Sequence, residues 1–229
     1  MNRPVVSSQT PVLLVGGGAC PKAAMDSALT RIVPKVAADG GAEVLLARGI
    51  VPDATIGDMD SISPGARAKL PVTTVHEITE QDSTDFDKAL RHIAAPLVLG
   101  FGFLGARMDH ALAALTVLTR HPDRRCILVG DDDVVALLPP SIRLALEPGT
   151  RVSLYPMGPV TGRSTGLRWP IDGIDFAPGG QVGTSNMATG PVSVQVDAPR
   201  MLVLLPAACL SQLEAGFAQA HDAWPVPAG

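Results

Sequence analysis

Aromatic side chains are scarce: two Trp, one Tyr and five Phe make up 3% of the 229 residues. The core must therefore rest on Val, Leu, Ile and Ala. A hydrophobic fraction of 46% supplies them and excludes wholesale disorder. Basic residues are outnumbered, 18 Lys and Arg against 22 Asp and Glu, for a net charge of -4. A general nucleic-acid binder needs a basic face, so that class of partner is set aside. Only three cysteines occur, Cys20, Cys126 and Cys209. They are widely spaced and form no metal-ligand pattern, which predicts reduced thiols rather than a disulfide framework. Long apolar runs are missing too. The run "PVLLV" near the N-terminus is cut at once by glycines, too short for a signal-peptide core, and nothing reaches membrane-spanning length. The expectation is a cytoplasmic protein that takes neither nucleic acid nor membrane as partner. Its length suits one large domain or two modest ones.

Up to about residue 138 the chain alternates short apolar runs with helical stretches. "VLLV" (12–15), "PLVLG" (96–100) and "CILVG" (126–130) are apolar without a break and run into glycine, as strands covered on both faces do. Between them "DKALRHIAA" and "DHALAALTVLTRH" carry helix formers at helical spacing. Strand, helix, strand in succession predicts a mainly parallel sheet flanked by helices. After "LLPP" (137–140) the texture changes to alternating runs such as "RVSLYP" (151–156) and "VSVQV" (192–196), separated by turn residues. That pattern predicts an all-β C-terminal sandwich. The expected domains are 1–138 and 139–229, with "LSQLEAGFAQAHDAW" as a terminal helix leading to a loose tail that holds Trp224.

Four stretches can carry chemistry. In "QDSTDFDKAL" (81–90), Thr84 as N-cap with Asp87 three residues on is a variant capping box. Capping alone leaves the crowding of Gln81, Asp82 and Asp85 at the same entrance unexplained. In "ATIGDMDSI" (54–62), Asp58 and Asp60 would point to one side of an extended segment, where they repel unless a cation lies between them. Such hard oxygen ligands suit Mg²⁺, although an acidic turn after a strand reads the same way. In "AADGGAEVLL" (37–46), Asp39 precedes Gly40 and Gly41 and then a helix. That loop lets the backbone approach a phosphate, or is an ordinary strand-to-helix turn. In "GFGFLGARMDHALAAL" (100–115), Arg107 can grip a phosphate bidentately, and Asp109 can join a metal cluster or cap the helix. Three of these four stretches follow apparent strand ends, the edge where α/β sheets place ligands. Together they favour a metal–phosphate site.

"ADGGA", "PDATIGDMDSI", "QDSTDFDKAL" and "GARMDH", in this order, resemble the thiamine pyrophosphokinase family. "GLRWPIDG" (166–173) and "GTSNMATG" (183–190) resemble its C-terminal motifs, so the likeness spans roughly residues 12 to 205. It implies a homodimer, with the active site near the subunit interface, that converts thiamine and ATP to thiamine diphosphate and AMP. It also implies Mg²⁺ as cofactor. By motif, Asp58, Asp60 and Asp85 would hold the metal. These three, with Arg107 and Asp109, would form the catalytic set. Asp39, Gly40, Gln81 and Thr84 would line the ATP side, and Trp169, Ser185 and Asn186 the thiamine side. Trp169 can equally be a core anchor of a sandwich poor in aromatics. Two positions depart from the family pattern: Glu43 where Asn is common, and Ala106 where a glycine is common. Rival readings are another Mg²⁺-dependent phosphotransferase or nucleotidyltransferase, and a non-catalytic module that binds thiamine or a nucleotide.

Overall fold

Unbroken apolar runs become fully covered strands, and the alternating runs become strands with one polar face. The computed structural model describes residues 3–105 and 107–227. In chain order the elements are β1 (Val6–Ser7), β2 (Val12–Val15), α1 (Lys22–Leu29), β3 (Lys35–Ala38), α2 (Gly41–Leu46), β4 (Ala54–Gly57), α3 (Pro64–Arg67), β5 (Val75–Glu77), α4 (Asp85–Arg91), β6 (Ile93–Ala94), β7 (Val98–Phe101), α5 (Met108–Arg120) and β8 (Cys126–Val129). There follow β9 (Asp133–Leu137), β10 (Ser141–Leu144), β11 (Arg151–Pro156), β12 (Gly162–Leu167), β13 (Gly183–Val196), β14 (Met201–Pro206) and α6 (Leu210–Gln219). Two compact units result. One holds the described residues up to Val117 together with Leu128–Gly130, and the other holds Leu118–Ile127 and the residues from Asp131 onward.

In the first unit the strand order is β5-β4-β3-β2-β7, and every neighbouring pair is parallel. β2, β4 and β7 are buried along their whole length. Their side chains are Val, Leu, Ile, Ala and Phe with one Thr and two Gly, so burial on both faces is what their composition requires. Because these strands run the same way, the loops after β2, β3, β4, β5 and β7 all leave from one edge of the sheet. α4 packs on β3 and β4, and α2 on β2 and β3. α2 starts so close to the end of β2 that a Cβ at Gly41 would stand 1.8 Å from the Val15 carbonyl oxygen, so Gly41 is required by packing.

The second unit is antiparallel: β9-β14-β11-β13, with β10 and β12 also on β13. β13 is 14 residues long. Its first part pairs with β11, and its last residues, Val192–Val196, pair with β10 and β12. The strand set is therefore mixed, parallel in one unit and antiparallel in the other, with flanking helices. The segment just before residue 138 groups with the second unit because β9 pairs along its length with β14. The C-terminal tail is not loose. Arg125 donates to the carbonyls of Phe217 and Ala220 at 2.9 and 2.7 Å, and Trp224 Nε1 donates to the Leu138 carbonyl at 2.8 Å. No helix among the described residues is long and apolar enough to cross a membrane.

Candidate active site

Four carboxylates gather at the carboxyl-terminal edge of the parallel strands. Asp39 follows β3, Asp58 and Asp60 follow β4, and Asp85 opens α4. One oxygen from each of Asp39, Asp58 and Asp60 lies within 4.8 Å of the others. Asp58 and Asp60 do not converge through an extended alternation as their spacing predicts. β4 ends at Gly57, and Met59 adopts a left-handed φ of 66°, so the loop turns between them. The Asp60 N–H then donates to Asp58 Oδ1 at 3.4 Å. Asp39 is also left-handed, at φ 41°, a conformation costly for a side-chain-bearing residue and concentrated at working sites. Gly57 sits between the carboxylates: a Cβ there would stand 2.8 Å from Asp39 Cβ and 3.1 Å from Asp85 Oδ1.

The loop after β4 is held by bonds that reach residues distant in the chain as well as near neighbours. The Ser61 N–H donates to Asp39 Oδ2 at 3.1 Å, and the Ser61 hydroxyl donates to Asp60 Oδ1 at 2.9 Å. Glu43, the departure from the family pattern, accepts the Ser63 N–H at 2.7 Å, and hydrogen bonding from Ser63, side chain first and then backbone, draws its pKa below the usual value. Glu43 thus ties α2 to the end of the acidic loop. The other departure, Ala106, lies outside the described residues.

Electrostatics separate Asp39, Asp58 and Asp85. Burial raises the pKa of Asp39, helped by the charges of Asp85 and Asp58 and opposed by the bonds from Ser61. Burial also raises that of Asp85, against the pull of Lys88. Asp58 is lowered, chiefly by its hydrogen bond from Lys88. The Lys88 ammonium reaches Asp58 Oδ2 at 2.8 Å and Asp85 Oδ1 at 3.3 Å, with its side chain 2% exposed. Lys88 was absent from the sequence-predicted set. Its (i, i+3) spacing from Asp85 on the helix was the available signal.

These residues fit a hard divalent cation. Asp39 Oδ1 is buried and accepts no hydrogen bond, among like charges and oxygen donors only. A buried carboxylate oxygen without a partner is unfavourable unless a cation completes it, and all-oxygen donors of this kind suit Mg²⁺.

The other predicted residues take varied places. Thr84 is the N-cap of α4, its hydroxyl accepting the Asp87 N–H at 3.3 Å, and Asp87 is buried. Gly40 precedes α2 as its N-cap. Gln81 is exposed and donates to the Thr79 carbonyl at 3.3 Å, turned to its own loop. Arg107 and Asp109 are brought to each other, Nε to Oδ1 at 3.2 Å and a terminal nitrogen to Oδ2 at 2.6 Å. Both are about two-thirds exposed, and Asp109 is not among the carboxylates that share ligand positions.

In the second unit Trp169, Ser185 and Asn186 form one construction. Asn186 is buried; its Oδ1 accepts the N–H groups of Trp169 at 3.2 Å and Met187 at 2.8 Å, and its Nδ2 donates to the Trp169 carbonyl at 2.7 Å. The side-chain amide thus imitates a strand neighbour for Trp169. Ser185 is left-handed at φ 61°, and its N–H donates to the buried Ser153 hydroxyl at 3.0 Å. Trp169 is no core anchor: it is 53% exposed, and the Arg168 guanidinium lies 4.9 Å from its ring centroid. Asn186→Ala should lower stability by about 2 kcal/mol, measured by denaturant midpoint, because it removes three hydrogen bonds made by a buried amide, two of them to the Trp169 backbone.

The first unit is thus an α/β domain with a carboxylate crevice arranged for a hard cation, joined in sequence to an antiparallel unit that displays a clamped indole. Comparison with known proteins agrees. The model of the thiamin pyrophosphokinase catalytic domain matches residues 26–129, and that of the family's vitamin B1 binding domain matches residues 141–201. The chain belongs to the thiamin pyrophosphokinase family. Thiamine pyrophosphokinase 1 of Arabidopsis thaliana is 34% identical over 156 residues, which cover 59% of this chain and 58% of that one. Thiamine pyrophosphokinase 1 of Oryza sativa subsp. japonica is also 34% identical, with 59% of each chain covered. The match thus spans less than two thirds of these relatives' length. Among solved structures, thiamine pyrophosphokinase from Bacillus subtilis superimposes with a TM-score of 0.70 at 22% identity, covering 86% of this chain and 98% of that one. Thiamin pyrophosphokinase from Candida albicans gives 0.71 at 18% identity, covering 90% and 95%. These two likenesses are of fold.

Proposed function

We propose that the protein is an ATP:thiamine diphosphotransferase that makes thiamine diphosphate and AMP. The observation that carries this reading is the Asp39–Asp58–Asp60 group with its unpartnered buried oxygen, in a chain matched by both the catalytic and the vitamin B1 binding models of the family. Residues 1–138 serve ATP and the metal, and 139–229 serve thiamine. The latter form a sandwich, since β13 pairs with β11 at one end and with β10 and β12 at the other. A homodimer, with the active site near the subunit interface, belongs to the same reading. The three free thiols suit a cytoplasmic setting.

Asp58, Asp60 and Asp85 would hold Mg²⁺, and Asp39, whose oxygen shares ligand positions with Asp58 and Asp60, would join them. When bound, Mg²⁺ offsets the charge of the polyphosphate, which these acids alone would repel. Gly40, Gln81 and Thr84 line the ATP side. Arg107 leaves Asp109 to take a phosphate bidentately. The thiamine hydroxyl oxygen forms a bond to the β-phosphorus, the bond from that phosphorus to the bridging oxygen of AMP breaks, and the hydroxyl proton is given up. Two carboxylates compete for that proton. Asp85 has its pKa raised, by burial first, whereas Asp109 is held low by Arg107. Trp169 presents its indole face to the cationic thiazolium and pyrimidine rings, placed by Asn186 and Ser185.

Incubation with thiamine, ATP and Mg²⁺ followed by identification of both products tests the reading. AMP with thiamine diphosphate is expected; ADP would assign an ordinary kinase, and no turnover a binding module. Independently of turnover, Mg²⁺ at about 100 times its Kd should raise Tm by roughly 5–10 °C, since relief of the carboxylate repulsion favours the folded state. That rise should vanish in Asp39→Asn.

A further inference from the structure

Lys88 is only 1% exposed and belongs to the largest wholly buried side chains. Its ammonium lies between two carboxylates of the acidic crevice, Asp58 Oδ2 at 2.8 Å and Asp85 Oδ1 at 3.3 Å. One turn of α4 places Lys88 beside Asp85, and its long stem carries the charge across to Asp58 at the end of β4. A buried ammonium needs charged partners, and here both partners come from the cluster that would otherwise attract cations. Asp58 is shared by two neighbourhoods: one of its oxygens lies within 4.8 Å of oxygens of Asp39 and Asp60, and its Oδ2 meets Lys88, which also reaches Asp85.

Resting on the cation site proposed above, we infer that Lys88 stands where a second divalent cation would bind between Asp58 and Asp85, so that the crevice loads one ion, on its Asp39–Asp60 side. Lys88 is then a positioning residue. It engages Asp58 Oδ2 and leaves Oδ1, whose contact from the Asp60 N–H is a long 3.4 Å, turned to the loaded ion. Four clustered acids would otherwise recruit as many ions as their charge allows, and a fixed internal cation sets that number by geometry.

The test counts bound Mn²⁺ per chain by electron paramagnetic resonance without nucleotide, on the full chain and on Lys88→Met and Lys88→Gln, with Tm followed in EDTA and in Mn²⁺. The unmodified chain should bind one ion and hold its fold in EDTA. Both variants should bind two ions, or one at least tenfold more tightly, and should regain in Mn²⁺ the Tm they lose in EDTA. A purely structural lysine would lower Tm without changing the count. One ion at unchanged affinity in a folded variant therefore overturns the inference while leaving the cation site intact. Variants that stay unfolded in Mn²⁺ also overturn it, since a divalent ion then cannot stand where the ammonium stood. No ion on the unmodified chain removes the cation site itself, and this inference with it.

Discussion

Asp58→Asn should lower turnover by about a hundredfold or more while the chain stays folded. Loss of one carboxylate ligand removes several kcal/mol of stabilisation for the charge that develops on the transferred phosphoryl group. The fold survives because an amide oxygen can still accept from Lys88, and Lys88 keeps Asp85 at 3.3 Å. Asp60→Asn is the companion variant. Asp60 is exposed and touches no buried cation, so its loss should cost activity with still less change in Tm. Steady-state rates beside thermal melts separate the two effects. An aspartate that merely decorates a turn would give near-normal rates in both variants, and that result would withdraw the metal assignment. Added Mg²⁺ should restore part of the lost rate if affinity is what has fallen.

Trp169→Leu should raise the KM for thiamine about tenfold and leave the KM for ATP–Mg²⁺ unchanged. Stacking and the attraction of an aromatic face for a cation are each worth roughly 1 kcal/mol, and about 1.4 kcal/mol is a factor of ten. The side chain is 53% exposed, so its replacement opens no core cavity. Its backbone stays clamped by Asn186, which bonds the Trp169 N–H and carbonyl rather than the ring. The effect should therefore be confined to one substrate. The chain's other tryptophan, Trp224, donates to the Leu138 carbonyl. Quenching of fluorescence by thiamine should for that reason disappear in Trp169→Leu and persist in Trp224→Phe. An unchanged KM for thiamine, or quenching that survives in Trp169→Leu, would show that the indole serves no ligand.

Local pattern alone determined much of this protein. The unbroken runs at 12–15 and 126–129 are strands because β-branched and leucine side chains without polar interruption tolerate burial on both faces. Thr84 caps α4 because its hydroxyl is within reach of the Asp87 N–H, a relation contained in four consecutive residues. The acidic pair Asp58 and Asp60 was legible for the same reason. What tertiary structure alone decided involves partners distant in the chain. Asp39 joins that pair because β3 and β4 are parallel neighbours, and strand order is not written in either strand. Lys88 is a buried counter-ion rather than a solvated helix charge because α4 lies on β3 and β4, beside the loop that brings Asp58. Trp169, in the bend after β12, is displayed rather than buried because Asn186, on β13, satisfies its backbone. Periodicity reports how a residue faces along its own element; which element it then meets depends on the pairing of strands, and only the folded chain contains that.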